Sequence, residues 1–264
     1  MSFLTPDEYT NKVFNMDALE LMARLPDASV DAVITDFPYN TTANAWESAI
    51  ALSDKLWSEI WRVIKSSAPV VTTASQPFTS LLVTRQLAKF RHEWVWEKTR
   101  PTGYLNANIA PMKAHENILV FSKTELAFYP QMTRGKPYRA TRGAVGGHVR
   151  DKTVGGYETI NEGWRYPKSV LHVDSVNGSH PSQKPLELYE YLILTYTKPD
   201  ALIFDPFAGS GTTGVAAQHL GRLFILGDTD AGYCEVARKR LAMPYMVDMF
   251  SRLVDAPEAT RNET

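Results

Sequence analysis

Val30-Asp31-Ala32-Val33-Ile34-Thr35 runs directly into Asp36-Phe37-Pro38-Tyr39. The first part is apolar and rich in β-branched residues, which predicts a buried strand. In open α/β sheets, ligands bind at the carboxyl ends of the strands. The Asp36 carboxylate and the Phe37 carbonyl can hold a flat polar group there, Pro38 restricts the backbone, and Tyr39 offers a ring for stacking. Taken alone, these residues are also typical of an ordinary turn after a strand.

A second strand and turn lie near the other end of the chain. Residues 201–204 lead into Asp205-Pro-Phe-Ala-Gly-Ser-Gly-Thr-Thr213. Its glycines let the backbone approach a ligand closely, and its hydroxyls can donate hydrogen bonds at the start of the predicted helix. The segment lacks the Gly-Lys-Ser/Thr ending of a phosphate-binding loop, which excludes that interpretation. The following strand ends in Asp228, at a position where an acid commonly binds ribose hydroxyls.

Helical and strand patterns alternate along most of the chain, after a polar lead-in at residues 1–12. Strands are predicted at 30–35, 69–73, 91–97, 117–121, 201–204 and 223–227, and helices at 17–25, 53–64, 78–90, 186–193 and 229–241. Residues 98–108 are too polar for a core and are interpreted as a loop. The alternation predicts an α/β fold with a doubly wound, mostly parallel sheet.

Composition narrows the class of protein. The chain has 264 residues, of which 44% are hydrophobic and 22% charged, as in ordinary globular proteins. The single cysteine, Cys234, excludes an internal disulfide and a cysteine-rich metal site, and it fits a reducing compartment. The N-terminus is not a signal peptide and no apolar run is long enough to cross a membrane, so we expect a cytoplasmic protein with no membrane partner.

A basic, glycine-rich segment lies between the two motif-bearing halves. Residues 131–152 contain six lysines and arginines and one acid, in a chain whose net charge is −1. Cations bind phosphates and guanine edges, and nearby aromatic rings stack on unpaired bases, so we predict a target-recognition region. An ordinary solvated insertion is the alternative. The predicted DNA-binding cations are Arg134, Lys136, Arg139, Arg142, Arg150 and Lys152.

The two motifs together resemble those of the amino-methyltransferases of DNA. That family carries Asp-Pro-Pro-Tyr for the target amine and Asp-Pro-Phe-x-Gly-Ser-Gly-Thr-Thr for S-adenosylmethionine, and its β class has them in the order found here. The resemblance runs from about Asn15 to Leu241. It implies a Rossmann-like methyltransferase fold, S-adenosyl-L-methionine as cofactor, double-stranded DNA as partner, and a bacterial or phage-encoded protein. No metal is expected, because no second ligand lies at a usable spacing from His180.

The resemblance also divides the chain and assigns its site residues. It implies a catalytic half at 13–123, a recognition insertion at 124–179, a cofactor half at 180–243 and a C-terminal tail at 244–264. The catalytic residues are Asp36, Phe37, Pro38 and Tyr39. The cofactor residues are Asp17, His180, Ser182, Gln183, Lys184, Asp205, Phe207, Ala208, Gly209, Ser210, Gly211, Thr212, Thr213 and Asp228.

Four further interpretations concern individual residues or short segments. Asp17 precedes a helix, so it is either an N-cap or a residue near the adenosine end of the cofactor. The segment at 180–185 resembles the family's His-Pro-Thr-Gln-Lys-Pro turn, which helps hold the methionine end of the cofactor. Lys98 lies in a loop similar to those that line the family's target-base pocket, where it either contacts a phosphate or is solvated. His115-Glu116 is interpreted as a structural hydrogen-bonded pair, because methyl transfer from a sulfonium needs no acid–base dyad.

One residue departs from the family pattern, because Phe37 replaces the first proline after the acid. The carbonyl that accepts an amine hydrogen survives, but the φ restriction is lost. The ring is expected to compensate by packing over the cofactor or the base. The expected function is site-specific methyl transfer to N6 of a flipped-out adenine. The alternatives are cytosine N4, a catalytically impaired DNA-binding homologue, and methylation of RNA or of a protein amide side chain; the basic segment argues against the protein substrate. The sequence leaves open whether the chain forms a homodimer.

Overall fold

The protein was analysed as a computed structural model, which describes residues 2–38, 50–142, 157–175 and 184–243, without the side chains of Arg142 and Tyr157. These residues form two compact units. The first unit comprises residues 2–38, 50–129, 169–175 and 184–243, and the second comprises 130–142 and 157–168. The predicted tail at 244–264 lies outside the described residues.

The strands and helices follow each other as the alternating pattern predicts. In chain order the strands are β1 (Lys12–Asn15), β2 (Ala32–Thr35), β3 (Pro69–Ala74), β4 (Phe90–Thr102), β5 (Lys113–Ser122), β6 (Thr133–Arg134), β7 (Tyr138–Arg142), β8 (Tyr157–Asn161), β9 (Trp164–Arg165), β10 (Val170–Val173), β11 (Leu202–Asp205) and β12 (Leu223–Asp228). The α-helices are α1 (Pro6–Tyr9), α2 (Ala18–Ala23), α3 (Asp54–Val63), α4 (Phe78–Arg85), α5 (Leu186–Tyr196), α6 (Thr212–His219) and α7 (Ala231–Leu241).

The first unit is built on an eight-stranded sheet in the order β1-β12-β11-β2-β3-β5-β4-β10. Strand β5 is antiparallel to both of its neighbours, and every other pairing in this sheet is parallel. Parallel strands align their carboxyl ends at one edge of a sheet, so β2, β11 and β12 end together. The predicted mostly parallel sheet is therefore confirmed.

Both faces of this sheet are covered, as a doubly wound fold requires. Neighbouring residues on a strand point to opposite faces, and Val33 and Ile34 of β2 accordingly belong to two different hydrophobic clusters. The first cluster includes Trp57 of α3, and the second includes Leu192 of α5. Continuous apolar runs in the central strands follow from burial on both faces.

Three elements differ from the sequence-based expectations. The predicted lead-in at 1–12 contains α1 and the start of β1, which is an edge strand with exposed ends and so lacks an apolar pattern. The helix predicted at 78–90 ends at Arg85 and continues as a 3₁₀ turn at Leu87–Lys89. Strand β4 extends to Thr102, into the predicted loop, because backbone pairing of Thr102 with Lys113 on β5 needs no apolar side chains.

The β4–β5 hairpin projects beyond the neighbouring strand at the carboxyl edge of the sheet. Ala74, the last residue of β3, pairs with Asn117, whereas β4 and β5 pair on to Glu97 and His115 and, after an irregularity in β4, again at Thr102 and Lys113. Lys98 and Glu116 lie in this projecting part. The hairpin thereby brings charged side chains past the end of β3, at the edge where ligands bind in such folds.

The second unit consists of two antiparallel pairs, β6 with β9 and β7 with β8. Arg134 and Arg165 stack on aromatic rings, with the Arg134 guanidinium carbon 3.8 Å from the centre of the Trp164 ring and that of Arg165 4.8 Å from the centre of the Tyr138 ring. These contacts hold a small unit that has little apolar core of its own.

Across the part of the chain that the structure describes, every helix is too short or too polar to cross a membrane.

Candidate active site

A cavity of about 580 Å³ opens at the carboxyl edge of the first unit's sheet. Residues from both sequence motifs line it, together with Lys184. The lining includes Asp17, Asp36, Pro38, Lys184, Asp205, Phe207, Ala208, Gly209, Ser210, Thr212, Thr213 and Asp228. Gly211 packs against Ala237, on the side of the glycine turn away from the lining. Tyr39, His180, Ser182 and Gln183 lie outside the described residues. The structure thus brings most of the predicted cofactor residues to one cavity. It also brings there Asp36, the acid of the predicted catalytic turn, which begins at Asp36 directly after β2.

The buried carboxylate of Asp205 organises the turn after β11. It accepts hydrogen bonds from the Thr35 hydroxyl (2.6 Å), the Thr213 hydroxyl (2.5 Å) and the Phe207 amide (3.1 Å). Burial raises the pKa of Asp205 to about 6, although the three hydrogen bonds oppose that shift. Because both oxygens already have protein partners, the structure supports Asp205 as a residue that shapes the cofactor turn.

The two glycines of the turn have different tasks. Both adopt positive φ, +50° at Gly209 and +79° at Gly211, a conformation that favours glycine. A Cβ on Gly211 would lie 2.6 Å from the Cβ of Ala237, so Gly211 permits close packing against α7. A Cβ on Gly209 would meet no atom within 4 Å, so the backbone there is open to a ligand. The sequence predicted a close backbone approach to a ligand at both glycines. At Gly211 the missing side chain instead makes room for Ala237, and at Gly209 the approach stays a prediction.

Arg240 of α7 braces the same turn, and the sequence analysis did not identify it. Its Nη1 donates to the Ser210 carbonyl (2.7 Å), the Ser210 hydroxyl (3.0 Å) and the Thr212 hydroxyl (3.0 Å). Those hydroxyls keep their own protons for donation into the cavity. Arg240 lies far along the chain from the motif, so its helical pattern gave no signal of this contact.

Two acids offer acceptors to the part of the cavity near β12. Asp228 accepts hydrogen bonds from the amides of Gly209 (2.8 Å) and Asp230 (2.9 Å), one on each carboxylate oxygen. Each oxygen keeps a lone pair that can accept from a ligand hydroxyl. Asp17 caps α2 by accepting from the amides of Leu19 and Glu20, and it also lines the cavity. The N-cap interpretation of Asp17 is confirmed, and its cofactor contact stays a prediction.

Hydroxyl and ammonium donors hold the catalytic turn after β2. The Thr73 hydroxyl donates to Asp36 Oδ1, and Lys184 Nζ lies 3.1 Å from Asp36 Oδ2. The Phe37 amide lies 3.5 Å from the Thr72 hydroxyl. The two threonines were not identified from the sequence. Their signal was a pair of polar residues at the carboxyl end of the otherwise apolar strand β3.

The position of Phe37 corrects one expectation. Phe37 as a whole residue is only 1% exposed, and its ring centre lies 5.6 Å from that of Trp57 and 5.8 Å from that of Phe207. The ring therefore packs into the hydrophobic core below the turn, and the expected packing over a cofactor or base is wrong. Core packing of this ring still restrains the turn where the family has a proline.

Lys98 also differs from its expected setting. Its side chain is 9% exposed and its Nζ lies 3.3 Å from Glu116 Oε1, while Lys184 Nζ lies 2.9 Å from Glu116 Oε2. Lys98 is therefore not a solvated surface cation, and its ammonium is engaged by Glu116 where a phosphate contact was predicted. Burial acts to raise the pKa of Glu116, but the charges of Lys184 and Lys98 outweigh burial and hold that pKa below its usual value.

Apart from Lys98, which belongs to the first unit, the predicted DNA-binding cations that are described lie in the second unit. Arg134, Lys136 and Arg139 are exposed, and Arg139 forms a solvent-accessible ion pair of 3.3 Å with Glu158. The side chain of Arg142, and Arg150 and Lys152 entirely, lie outside the described residues. Across residues 2–38, 50–142, 157–175 and 184–243, no group of three or more His, Cys, Asp or Glu side chains is arranged to hold a metal ion.

Comparison with known proteins places this geometry in a family. The chain is 28% identical to the Type II methyltransferase M.BglII of Bacillus subtilis over 257 residues, which cover 90% of this chain and 70% of that protein. Among solved structures, the M1.HpyAVI complex with S-adenosylmethionine superposes with a TM-score of 0.60 at 23% identity, covering 88% of this chain and 99% of the other. PvuII DNA methyltransferase, described as cytosine-N4-specific, gives 0.64 at 18% identity, with 89% and 87% coverage.

Because their sequence identity to this chain is low, the two structural matches establish a shared fold and nothing beyond it. The family model for DNA methylases acting at N6 or N4 matches residues 30–239, which is well over half of the chain and spans both motifs. S-adenosylmethionine is the methyl donor of this family. The chain therefore belongs to the N6/N4 amino-methyltransferase family and is an S-adenosylmethionine-dependent DNA methyltransferase.

Proposed function

We propose that this protein methylates the exocyclic N6 of adenine at a specific site in double-stranded DNA. The observation that carries the proposal is that Asp36 of the catalytic turn and the glycine turn with Asp228 line one cavity. A methyl donor held by the second group and an amine held by the first would meet inside it. The division into catalytic, recognition and cofactor parts at 13–123, 124–179 and 180–243 belongs to this proposal.

The charges of the cavity fit a cationic cofactor. Its described lining contains one lysine and several carboxylates, namely those of Asp17, Asp36, Asp205, Asp228 and Asp230. A net negative lining attracts a sulfonium and an α-ammonium group. We assign the ribose hydroxyls to Asp228 and the closest backbone approach to Gly209. When bound, S-adenosylmethionine supplies a methyl group that is activated for attack by its sulfonium sulfur.

The protein's contribution to the chemistry is to prepare the amine. The lone pair of an exocyclic amine is delocalised into the base ring, which makes the nitrogen a poor nucleophile. We assign the two amine hydrogens to the Asp36 carboxylate and the Phe37 carbonyl, which together draw the nitrogen toward a tetrahedral geometry. As the new N–C bond forms and the S–C bond breaks, the nitrogen loses one proton to Asp36, directly or through water. In-line placement of the amine nitrogen and the sulfonium methyl group supplies much of the remaining rate enhancement.

The target base must leave the duplex to reach such a cavity, at a cost of a few kcal/mol. We assign the phosphate and base-edge contacts that compensate this cost to the exposed cations of the second unit, with Tyr39 as the stacking partner of the flipped base. The local surplus of positive charge at residues 131–152 is consistent with DNA binding by a chain of net charge −1.

Adenine is proposed over cytosine because the motif after β2 is of the Asp-x-Pro-Tyr type. Cytosine N4 is the second candidate, because the chemistry is the same and PvuII DNA methyltransferase, which is cytosine-N4-specific, shares the fold. A catalytically impaired DNA-binding homologue is the third. The buried Phe37 argues against it, because core packing restrains the turn that lacks the usual proline.

The test is sequencing with modification detection in a methylation-free bacterial host. Cells expressing the wild type or Asp36→Ala are compared, and genomic DNA is digested to nucleosides for base analysis. We expect one sequence motif carrying N6-methyladenine in the wild type and no modification in the variant. N4-methylcytosine in that motif would replace adenine with cytosine as the substrate. Unmodified DNA in both strains, with specific DNA binding retained, would favour the impaired homologue.

A further inference from the structure

Four charged side chains form a connected network between the β4–β5 hairpin and the catalytic turn. Lys184 Nζ lies between Asp36 Oδ2 at 3.1 Å and Glu116 Oε2 at 2.9 Å, and Lys98 Nζ lies 3.3 Å from Glu116 Oε1. The side chains of Lys98, Lys184 and Glu116 are between 9% and 13% exposed, and that of Asp36 is 28% exposed. Two carboxylates and two ammonium groups balance each other, as sheltered charges require.

Asp36 is held on both of its oxygens by this arrangement. The Thr73 hydroxyl donates to Oδ1 and the Lys184 ammonium binds Oδ2. A carboxylate restrained in this way keeps its remaining lone pairs in fixed directions, which an incoming amine hydrogen requires. A lysine on its flexible four-carbon chain cannot supply such a restraint by itself.

Glu116 supplies the missing rigidity. It pairs with Trp96 of β4 and directly precedes Asn117, which pairs with both Ala74 of β3 and Val95 of β4, so its backbone is fixed relative to the carboxyl edge of the sheet. One of its oxygens binds Lys184 and the other binds Lys98. Lys98 therefore holds the Glu116 carboxylate in place, and that carboxylate holds Lys184. Removing the Glu116 carboxylate would take away one of the counter-charges of a sheltered lysine and widen its choice of rotamers.

We propose that Glu116 is a positioning residue for methyl transfer, which holds the Lys184 ammonium against Asp36 and so aims that carboxylate at the target amine. The proposal rests on the proposed function. It also changes the role of Lys184, because the family resemblance implies a contact with the methionine end of the cofactor. A lysine committed to Asp36 and Glu116 acts on the amine side of the reaction.

The test separates these two roles by steady-state kinetics and cofactor binding, with a DNA duplex carrying the site found by sequencing. Glu116→Gln keeps the shape of the side chain and removes its charge, and Lys184→Met removes the ammonium. We expect kcat to fall about 10-fold in the first and about 100-fold in the second, while the Kd for S-adenosylmethionine from calorimetry changes less than about 2-fold.

The double variant and two conservative variants distinguish positioning from a merely structural effect. If Glu116 acts through Lys184, the double variant is no slower than Lys184→Met within about 3-fold, because coupled residues are not additive. Lys184→Arg is expected to recover part of kcat. Glu116→Asp, which keeps the charge but shortens the side chain, should lie between the wild type and Glu116→Gln, and it replaces that variant if Glu116→Gln does not fold.

The outcomes that overturn the inference are distinct. Wild-type kcat in Glu116→Gln, or a double variant whose losses multiply, would show that Glu116 does not act through Lys184. A 10-fold weaker Kd for the cofactor in Lys184→Met, with kcat preserved at saturation, would return the lysine to the cofactor site. In both cases the wild type remains active, so the proposed function stands. A folded wild type that transfers no methyl group to any DNA overturns the proposed function, and this inference with it.

Discussion

At the residue scale, hydroxyl groups determine how the carboxylates of the site are used. Thr35 and Thr213 occupy the oxygens of Asp205, and Thr73 occupies one oxygen of Asp36. Asp205 is buried and satisfied by the protein, whereas Asp36 is partly exposed to the cavity. Two acids at the ends of neighbouring strands therefore have different settings: Asp205 shapes its turn, and Asp36 is the one proposed to contact the substrate.

The first prediction concerns the pH dependence of stability. Burial raises the pKa of Asp205 from 3.8 to about 6, so between these values the folded state binds a proton that the unfolded state releases. By linkage, this group lowers the free energy of unfolding as pH rises through that window, by on the order of 2–3 kcal/mol in total. Asp205→Asn cannot titrate. Urea unfolding from pH 4.5 to 7.5 should show the wild type losing stability relative to the variant as pH rises, and parallel curves would contradict the assignment.

The second prediction concerns the hydroxyl that Thr73 donates to Asp36. Thr73→Val keeps the shape and burial of the side chain and removes the donor, so one carboxylate oxygen loses its restraint. We expect kcat to fall roughly 10-fold, with the Kd for S-adenosylmethionine unchanged. Thr73→Ser is the matched control, because it restores the hydroxyl and should recover most of the rate. Equal losses in Val and Ser variants would point to packing of the methyl group instead.

At the element scale, the turn between β11 and α6 contains one glycine that packs against α7, Gly211, and one that lines the cavity, Gly209. Gly221, which lies between α6 and β12, is the reference for backbone strain, because its φ of +67° is close to the +79° of Gly211. A Cβ at Gly211 would press on Ala237, whereas one at Gly221 would meet no atom within 4 Å. We expect Gly221→Ala to cost about 1–2 kcal/mol of unfolding free energy from backbone strain alone. Gly211→Ala should cost at least about 1–3 kcal/mol more, through overpacking against α7.

Gly209→Ala completes this third prediction, because Gly209 combines a positive φ with open space at the cavity. Its stability in urea should match that of Gly221→Ala. Its affinity for S-adenosylmethionine should nevertheless fall more than about 10-fold, since a methyl group would occupy the space of closest approach. Unchanged affinity in Gly209→Ala would remove Gly209 from the cofactor contacts.

The same scale shows what the sequence could and could not predict. The central strands and the turn at 205–213 were recognisable because burial on both faces gives apolar runs and glycines mark a close approach. The extension of β4 was not, because an exposed hairpin is held by backbone pairing that leaves no hydrophobic pattern. The settings of Phe37 and Lys98 were missed for a related reason. Both depend on partners distant in sequence, namely Trp57 and Glu116.

At the scale of the whole molecule, the proposed chemistry and the proposed DNA recognition are assigned to different units. The first unit contains the cavity and both hydrophobic clusters, and the second carries exposed cations on two short antiparallel pairs. Variants of the second unit should therefore change DNA affinity without changing cofactor binding. Salt dependence is the appropriate measurement, because each phosphate contact releases counterions on binding.

The fourth prediction uses Lys136 and Arg139, which are exposed in the second unit. Lys136→Gln with Arg139→Gln removes two cations, and loss of the exposed Arg139–Glu158 ion pair should cost little stability. If both cations contact phosphates, the slope of log K against log salt concentration should become shallower by about 2. Fluorescence anisotropy with labelled duplex over a potassium chloride series measures this slope.

The control for this prediction lies at the opposite edge of the first unit's sheet. Lys12 is an exposed lysine at the start of β1, whereas the cavity lies at the carboxyl ends of the strands. Lys12→Gln also removes a positive charge but should leave the salt slope within error of the wild type. A slope reduced equally by the Lys12 variant and the double variant would mean that net charge, rather than contact by the second unit, governs DNA affinity. A slope unchanged in the double variant would place the phosphate contacts on other residues.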